Sequence, residues 1–212
     1  MNILTIDFDI LMHNNGEQYG IDKNNDELKE FYPIDFELYQ QLTNVLLYFL
    51  GTHSNPEDIS FIEEHHLIIP LVEEYKKQND EDIYLINVDY HHDLSYGDEW
   101  KVDFTKQANI NCGTWVRYLK ENNLIQNYAW VHGYSFNPGH DEEYANYFGQ
   151  LIDEHYSIGE YDFENLPLYI DKIVLCHSSF WVPGYYNPLW QLWVNLASAI
   201  ENYQYQVYDI SN

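Results

Sequence analysis

The chain has 212 residues, 45% of them hydrophobic and 17% aromatic, which suits one globular domain over residues 1–212 with a sizeable core and excludes a disordered chain. Nine basic against 35 acidic residues leave a formal charge of -26; such a surface repels phosphate backbones, so no nucleic-acid partner is expected. Cys112 and Cys176 are the only cysteines and neither lies in a CxxC, so a disulfide scaffold is excluded and a reducing cytoplasm is expected.

"NILTIDFDIL" alternates, with Ile3, Thr5, Asp7 and Asp9 on one face and Leu4, Ile6, Phe8 and Ile10 on the other, which predicts a strand. "HNNGEQYGIDKNNDE" reads as a loop. "DFELYQQLTNVLLYFLGTH" has helical spacing and a stop at Gly51. "ISFI" is a short strand running into "EEHH", and "HLIIPLVEEYKKQ" a helix with Pro70 in its first turn. "DIYLINVD" predicts a buried strand, and "NCGTWVRYLKEN" a helix behind a Cys-Gly-Thr turn. "YAWVHGYS" and "KIVLCHSS" predict strands, "DEEYANYFGQLIDEH" and "PLWQLWVNLASAIENYQ" helices, and "YSIGEYDFENLPLYID" an irregular excursion. The alternation of strands and helices predicts an α/β layer structure with a mostly parallel sheet. No apolar run approaches ~18 residues, so no membrane span is expected.

Three predicted strands finish in metal-type ligands. "TIDFD" supplies Asp7 and Asp9, "FIEEHH" supplies His65 and His66, and "NVDYHHD" supplies Asp89, His91 and Asp93. Ligands of parallel sheets bind beyond the carboxyl ends of strands, where such groups can converge. In a solvated setting these residues would simply cap turns. In a dry one, a divalent cation makes the crowded carboxylates favourable. Chance yields about one Asp-x-Asp in such a composition but roughly 0.06 Asp-x-His-x-Asp, so the second motif carries the weight.

"DYHHD" resembles the Asp-Ala-His-x-Asp motif of the ureohydrolases, the arginase and agmatinase superfamily. "TIDFDILM" resembles their Ser-x-Asp-x-Asp segment, and "EEHHLIIP" their Gly-Gly-Asp-His-Ser-Leu strand end, with His65 on the ligand histidine and Leu67 on the leucine. An uncharacterised arginase-like family shows the same pairing of an "EEHH" strand end with Asp-x-His-x-Asp-Leu, here Glu63 to His66 and Asp89 to Leu94. The motif order is permuted: Asp-x-Asp comes first in this chain.

The resemblance implies a three-layer arginase-like fold and two divalent metal ions. One would be held by Asp7, His65, Asp89 and Asp93, the other by Asp7, Asp9, Asp89 and His91. The related histone deacetylases keep a single zinc, which here would use Asp7, Asp89 and His91. Carboxylate and imidazole donors without thiolate suit Mn²⁺ and tolerate Fe²⁺ or Zn²⁺. The implied activity is hydrolysis of a C–N bond in a guanidinium, amidine or amide by hydroxide between the metals. A small-molecule substrate, for which a cationic group is compatible, and a homo-oligomer are the implied partners. His177, His132 and His92 are candidates for proton delivery to the leaving amine. Asn111 and Trp115 are candidates for substrate contact, against the simpler reading of a helix entry with a core tryptophan. Cys112 lies where a helix N-terminus can lower a thiol pKa, though a plain buried cysteine is the simpler reading. The competing function is a non-catalytic binding or regulatory protein that retains the metal shell.

Overall fold

The structure is a computed structural model that describes residues 1–12, 34–53, 58–95, 110–133, 149–164 and 166–199. The strands are β1 (Asn2–Asp7), β2 (Ile59–Ile62), β3 (Tyr84–Val88), β4 (Asn127–His132), β5 (Glu154–Ser157) and β6 (Lys172–Cys176). The helices are α1 (Phe36–Thr52), α2 (Ile68–Gln78), α3 (Trp115–Glu121) and α4 (Asn187–Ala199). All six strands are parallel, in the order β2-β6-β1-β3-β4-β5.

Helices cover both faces, so the fold is a three-layer α/β sandwich. The alternation in β1 assigns the faces. Leu4, Ile6 and Phe8 pack with Leu42, Leu46 and Phe49 of α1 and with Trp190 and Trp193 of α4. Ile3 packs on the opposite side with Ile68, Leu71 and Val72 of α2 and Trp115, Val116 and Leu119 of α3. Each fully buried large apolar side chain contributes about 1.5–3 kcal/mol of transfer free energy. Trp193 also ties α4 to α1: its ring stacks on Tyr39 at 5.4 Å and its indole N–H donates to Thr43 Oγ1 at 2.8 Å.

The crossovers obey one hand. β1→β2 moves towards one edge with α1 on the first face, while β2→β3 and β3→β4 move the other way with α2 and α3 on the second. The chain therefore leaves β1 and β3 in opposite directions, the topology at which parallel sheets place ligands beyond the strands' carboxyl ends.

Two elements differ from expectation. β1 stops at Asp7, and Phe8–Leu11 form a 3₁₀ turn, because Asp7 Oδ1 accepts the Asp9 N–H at 3.1 Å and turns the chain. β5 lies where the sequence predicts the end of a helix and an irregular stretch. Among the described residues it is an edge strand paired with β4 alone, and its Glu-His-Tyr-Ser sequence has no apolar alternation to announce it. The predicted helix over 141–155 falls mostly outside the described residues, as does the predicted loop after "TIDFDILM". Among the described residues, no helix is long and apolar enough to cross a membrane.

Candidate metal centre

The carboxyl ends of β2, β6, β1 and β3 are adjacent in the sheet. Asp7 is the last residue of β1 and pairs in register with Cys176, the last of β6. β2 ends at Ile62, and a 3₁₀ turn over His65–Leu67 bends the chain into α2 and carries His65 over the rim. β3 ends at Val88, and Asp89 to Asp93 follow. Asp93 (φ 53°) and Ser178 (φ 49°) adopt left-handed backbone. A non-glycine residue pays about 1–2 kcal/mol for that conformation, and such strain tends to gather at functional sites.

The side chains converge on two nests. His65 Nδ1 lies 2.9 Å from Asp89 Oδ2, 3.2 Å from Asp7 Oδ2 and 3.4 Å from Asp93 Oδ2. His91 Nδ1 lies 3.3 Å from Asp9 Oδ2 and 3.8 Å from Asp89 Oδ1. Asp89 thus turns one carboxylate oxygen to each imidazole. Ligand atoms of His65, Asp89 and Asp93, and separately those of Asp9, Asp89 and His91, lie within 4.8 Å of one another. All four aspartates and His65 are buried, while His91 keeps 17% side-chain exposure and is the open side of the cluster.

The electrostatics show an excess of negative charge. Burial, then repulsion from Asp7 and Asp89, pushes the Asp9 carboxyl up to about 7 against the pull of His91. Burial, then repulsion from Asp93 and Asp7, pushes Asp89 up to about 7 against the pull of His65. Burial also raises Asp7, but His65, the Ser178 hydroxyl and the Asp9 amide outweigh it and hold Asp7 below the usual carboxylate range. The carboxylates in turn overcome burial and lift His91 to about 10; burial opposes the charged His65, but Cys176, then Asp7, Asp89 and Asp93, lift it well above its ordinary value. A bound cation relieves this crowding. Orphaned atoms point the same way: His65 Nδ1 and both Asp9 carboxylate oxygens are buried without a hydrogen-bond partner. The buried Asp and His clusters could hold a metal ion, and their oxygen and imidazole donors fit a divalent one.

A ring of hydrogen bonds fixes these groups from behind. Ser178 Oγ donates to Asp7 Oδ2 at 2.6 Å, Trp115 Nε1 to Asp93 Oδ2 at 2.6 Å, and Asn87 Nδ2 to Asp89 Oδ2 at 3.3 Å. His65 Nε2 meets Thr5 Oγ1 at 2.6 Å. Support of this kind orients ligands and tunes their basicity.

The six sequence-predicted ligands, Asp7, Asp9, His65, Asp89, His91 and Asp93, are therefore brought together. The other candidates fare differently. His92 faces the core: its Nδ1 accepts the Leu94 N–H at 3.2 Å, its ring packs edge-on against Trp130, and burial followed by the neighbouring His91 lowers it to about 3. A ring neutral down to that pH has no proton to give near neutrality. His132 ends β4, the strand next to β3, with its ring beside Trp130 and His155 and its Nδ1 3.0 Å from the Gly133 carbonyl oxygen. His177 follows β6 directly; it stacks on Trp190 at 4.8 Å, its Nδ1 lies 3.2 Å from Glu63 Oε2, and its Nε2 is buried without a hydrogen-bond partner.

The two residues expected at the substrate make structural contacts. Trp115 is wholly buried and holds Asp93. Asn111 Oδ1 accepts from Gly113 N at 2.9 Å and Thr114 Oγ1 at 3.2 Å, closing the turn into α3. Cys112 has its thiol pushed up to about 11 by burial, then by the charges of Asp93, Glu64, Asp7 and Asp89, the reverse of an activated cysteine.

Thr5, Asn87, Ser178 and Cys176 were not legible as parts of the site. Thr5 shares the Asp7 face of β1 and Asn87 precedes Asp89 by two, so strand periodicity was their one signal. Comparison of the chain with protein-family models, curated proteins and solved structures finds no match.

Proposed function

We propose that this chain is a metal-dependent hydrolase of C–N bonds that holds two divalent cations, Mn²⁺ being the ion expected from hard donors. The observation that carries the reading is the division of Asp89, with Oδ2 turned to His65 and Oδ1 to His91. A carboxylate shared between two imidazole-containing nests is what a bridging ligand requires. Asp7, His65, Asp89 and Asp93 would hold one ion; Asp9, His91 and Asp89 the other. When bound, such ions lower the pKa of a coordinated water and polarise the group under attack.

The chain's own residues supply the rest. Thr5, Ser178, Asn87 and Trp115 hold the ligands in place. Glu63 and Trp190 fix the His177 ring, leaving Nε2 to pass a proton to the leaving amine. The acidic cluster and the -26 charge favour a small cationic substrate, a guanidinium or amidine before an amide.

The test is metal content by plasma mass spectrometry, followed by ammonia, urea or amine release across a guanidino, amidine and acyl-amine panel. About two equivalents of metal with turnover lost in Asp89→Ala supports the enzyme. Tight metal with no turnover on any member supports the alternative, a binding protein that keeps the shell. No metal overturns both.

A further inference from the structure

We infer that Cys176 supplies a sulfur ligand beside Asp7 and His65, so that the first nest takes a thiophilic divalent ion, Zn²⁺ or Fe²⁺, ahead of Mn²⁺. The inference rests on the reading of the cluster as a metal centre and names the ion that centre prefers.

Three observations place the sulfur there. Cys176 is wholly buried and sits opposite Asp7 in the β1–β6 ladder. One ligand atom each from Asp7, His65 and Cys176 lies within 4.8 Å of the other two. Ser178 Oγ lies 3.3 Å from Cys176 Sγ and donates its one proton to Asp7 Oδ2 at 2.6 Å. That hydroxyl can therefore accept from the thiol, as can the Glu63 carbonyl oxygen at 3.9 Å, while the Ser178 backbone N–H is the group that would support a thiolate beside a cation. Independently of the cysteine, His65 Nδ1 is buried, makes no hydrogen bond, and faces the same carboxylates.

The simpler account is that Cys176 continues the apolar face begun by Val174, as buried cysteines often do. The two accounts differ in metal chemistry. Thiolate is a soft donor that favours Zn²⁺ and Fe²⁺ over Mn²⁺. On coordination the S–H bond breaks, its proton leaves to solvent and the sulfur–metal bond forms, with no change of oxidation state.

The test uses the full chain, stripped of metal and loaded with Co²⁺ alone. A near-ultraviolet sulfur-to-cobalt charge-transfer absorption is expected, retained in Cys112→Ala and lost in Cys176→Ala and Cys176→Ser. In direct competition, the preference for Zn²⁺ over Mn²⁺ should fall about tenfold or more in Cys176→Ser. Two full equivalents of bound Co²⁺ without that absorption in the unsubstituted chain overturn this assignment and leave the proposed hydrolase standing. Failure to bind Co²⁺ at all overturns both. The unsubstituted chain decides the matter even where a variant does not fold.

Discussion

His65 is held by Thr5 across 60 residues of sequence: imidazole Nε2 and threonine Oγ1 approach to 2.6 Å in a buried contact. With Nε2–H donating to that oxygen, the lone pair falls on Nδ1, the nitrogen that faces Asp7, Asp89 and Asp93. One hydroxyl is thus placed to support the tautomer a metal ligand needs once a cation displaces the Nδ1 proton. Thr5→Val keeps the shape and removes the oxygen. Metal affinity should fall about 10- to 100-fold, read by competition with a chromogenic chelator, while the chain stays folded by circular dichroism. Unchanged affinity would mean that Thr5 is merely packing.

Asp89 is the shared member of both nests, so its loss should be felt twice. Asp89→Ala is expected to reduce bound metal well below the level retained by His91→Ala, which disturbs one nest. Metal analysis after exhaustive dialysis separates the two. Equal stoichiometry in both variants would contradict a bridging role.

The stability of the metal-free chain and the increment that metal adds should depend on pH with opposite slopes. Asp9 and Asp89 are raised from 3.8 to about 7. Their contribution is fully present below the unfolded value and is lost as pH rises through 7. His91 is raised from 6.5 to about 10, so its contribution is present below 6.5 and lost as pH rises through 10. Metal-free protein should therefore melt at lower temperature as pH goes from about 5 to about 9. Metal binding displaces those protons, so the stabilisation by saturating metal should grow over the same range. Differential scanning fluorimetry with and without metal reads both slopes.

The parallel sheet and the clustered Asp and His side chains were legible in the sequence for one reason: a buried parallel strand is an apolar run, and polar residues at its carboxyl end stand out. "YLINV" followed by Asp89, His91 and Asp93 is such a case. The excursion of Asp9 into a turn was not legible, because strand alternation and a 3₁₀ turn both place Asp7 and Asp9 near one another. Nor was the role of Trp115. A tryptophan on an apolar helix face reads as core, and only the fold shows its indole N–H meeting a carboxylate 22 residues earlier. The same holds for Cys176 and Ser178, which reach Asp7 through strand pairing between residues about 170 apart.

Trp115→Phe removes that indole N–H and leaves the Asp93 carboxylate with one donor fewer in a buried site. Loss of a buried hydrogen bond to a charged group costs about 1.5–3 kcal/mol. Metal-free Trp115→Phe should be destabilised by about that amount in chemical denaturation. Saturating metal should restore part of the loss, because Asp93 then gains the cation as partner. A variant equally destabilised with and without metal would place Asp93 outside the centre.

Asp9 poses the sharpest conflict between stability and function. Both of its oxygens are buried without a hydrogen-bond partner, and its charged form is opposed by burial and by two neighbouring carboxylates. Asp9→Asn removes that charge with almost no change of volume. At about pH 9, where the native carboxyl is ionised, metal-free Asp9→Asn should melt higher than the unsubstituted chain. With saturating metal the order should reverse, since the second nest has lost an anionic ligand. A carboxylate whose removal strengthens the empty fold and weakens the loaded one is retained for the ion. If Asp9→Asn instead destabilises the metal-free chain, the pairing of Asp9 with His91 outweighs the repulsion and the residue is structural.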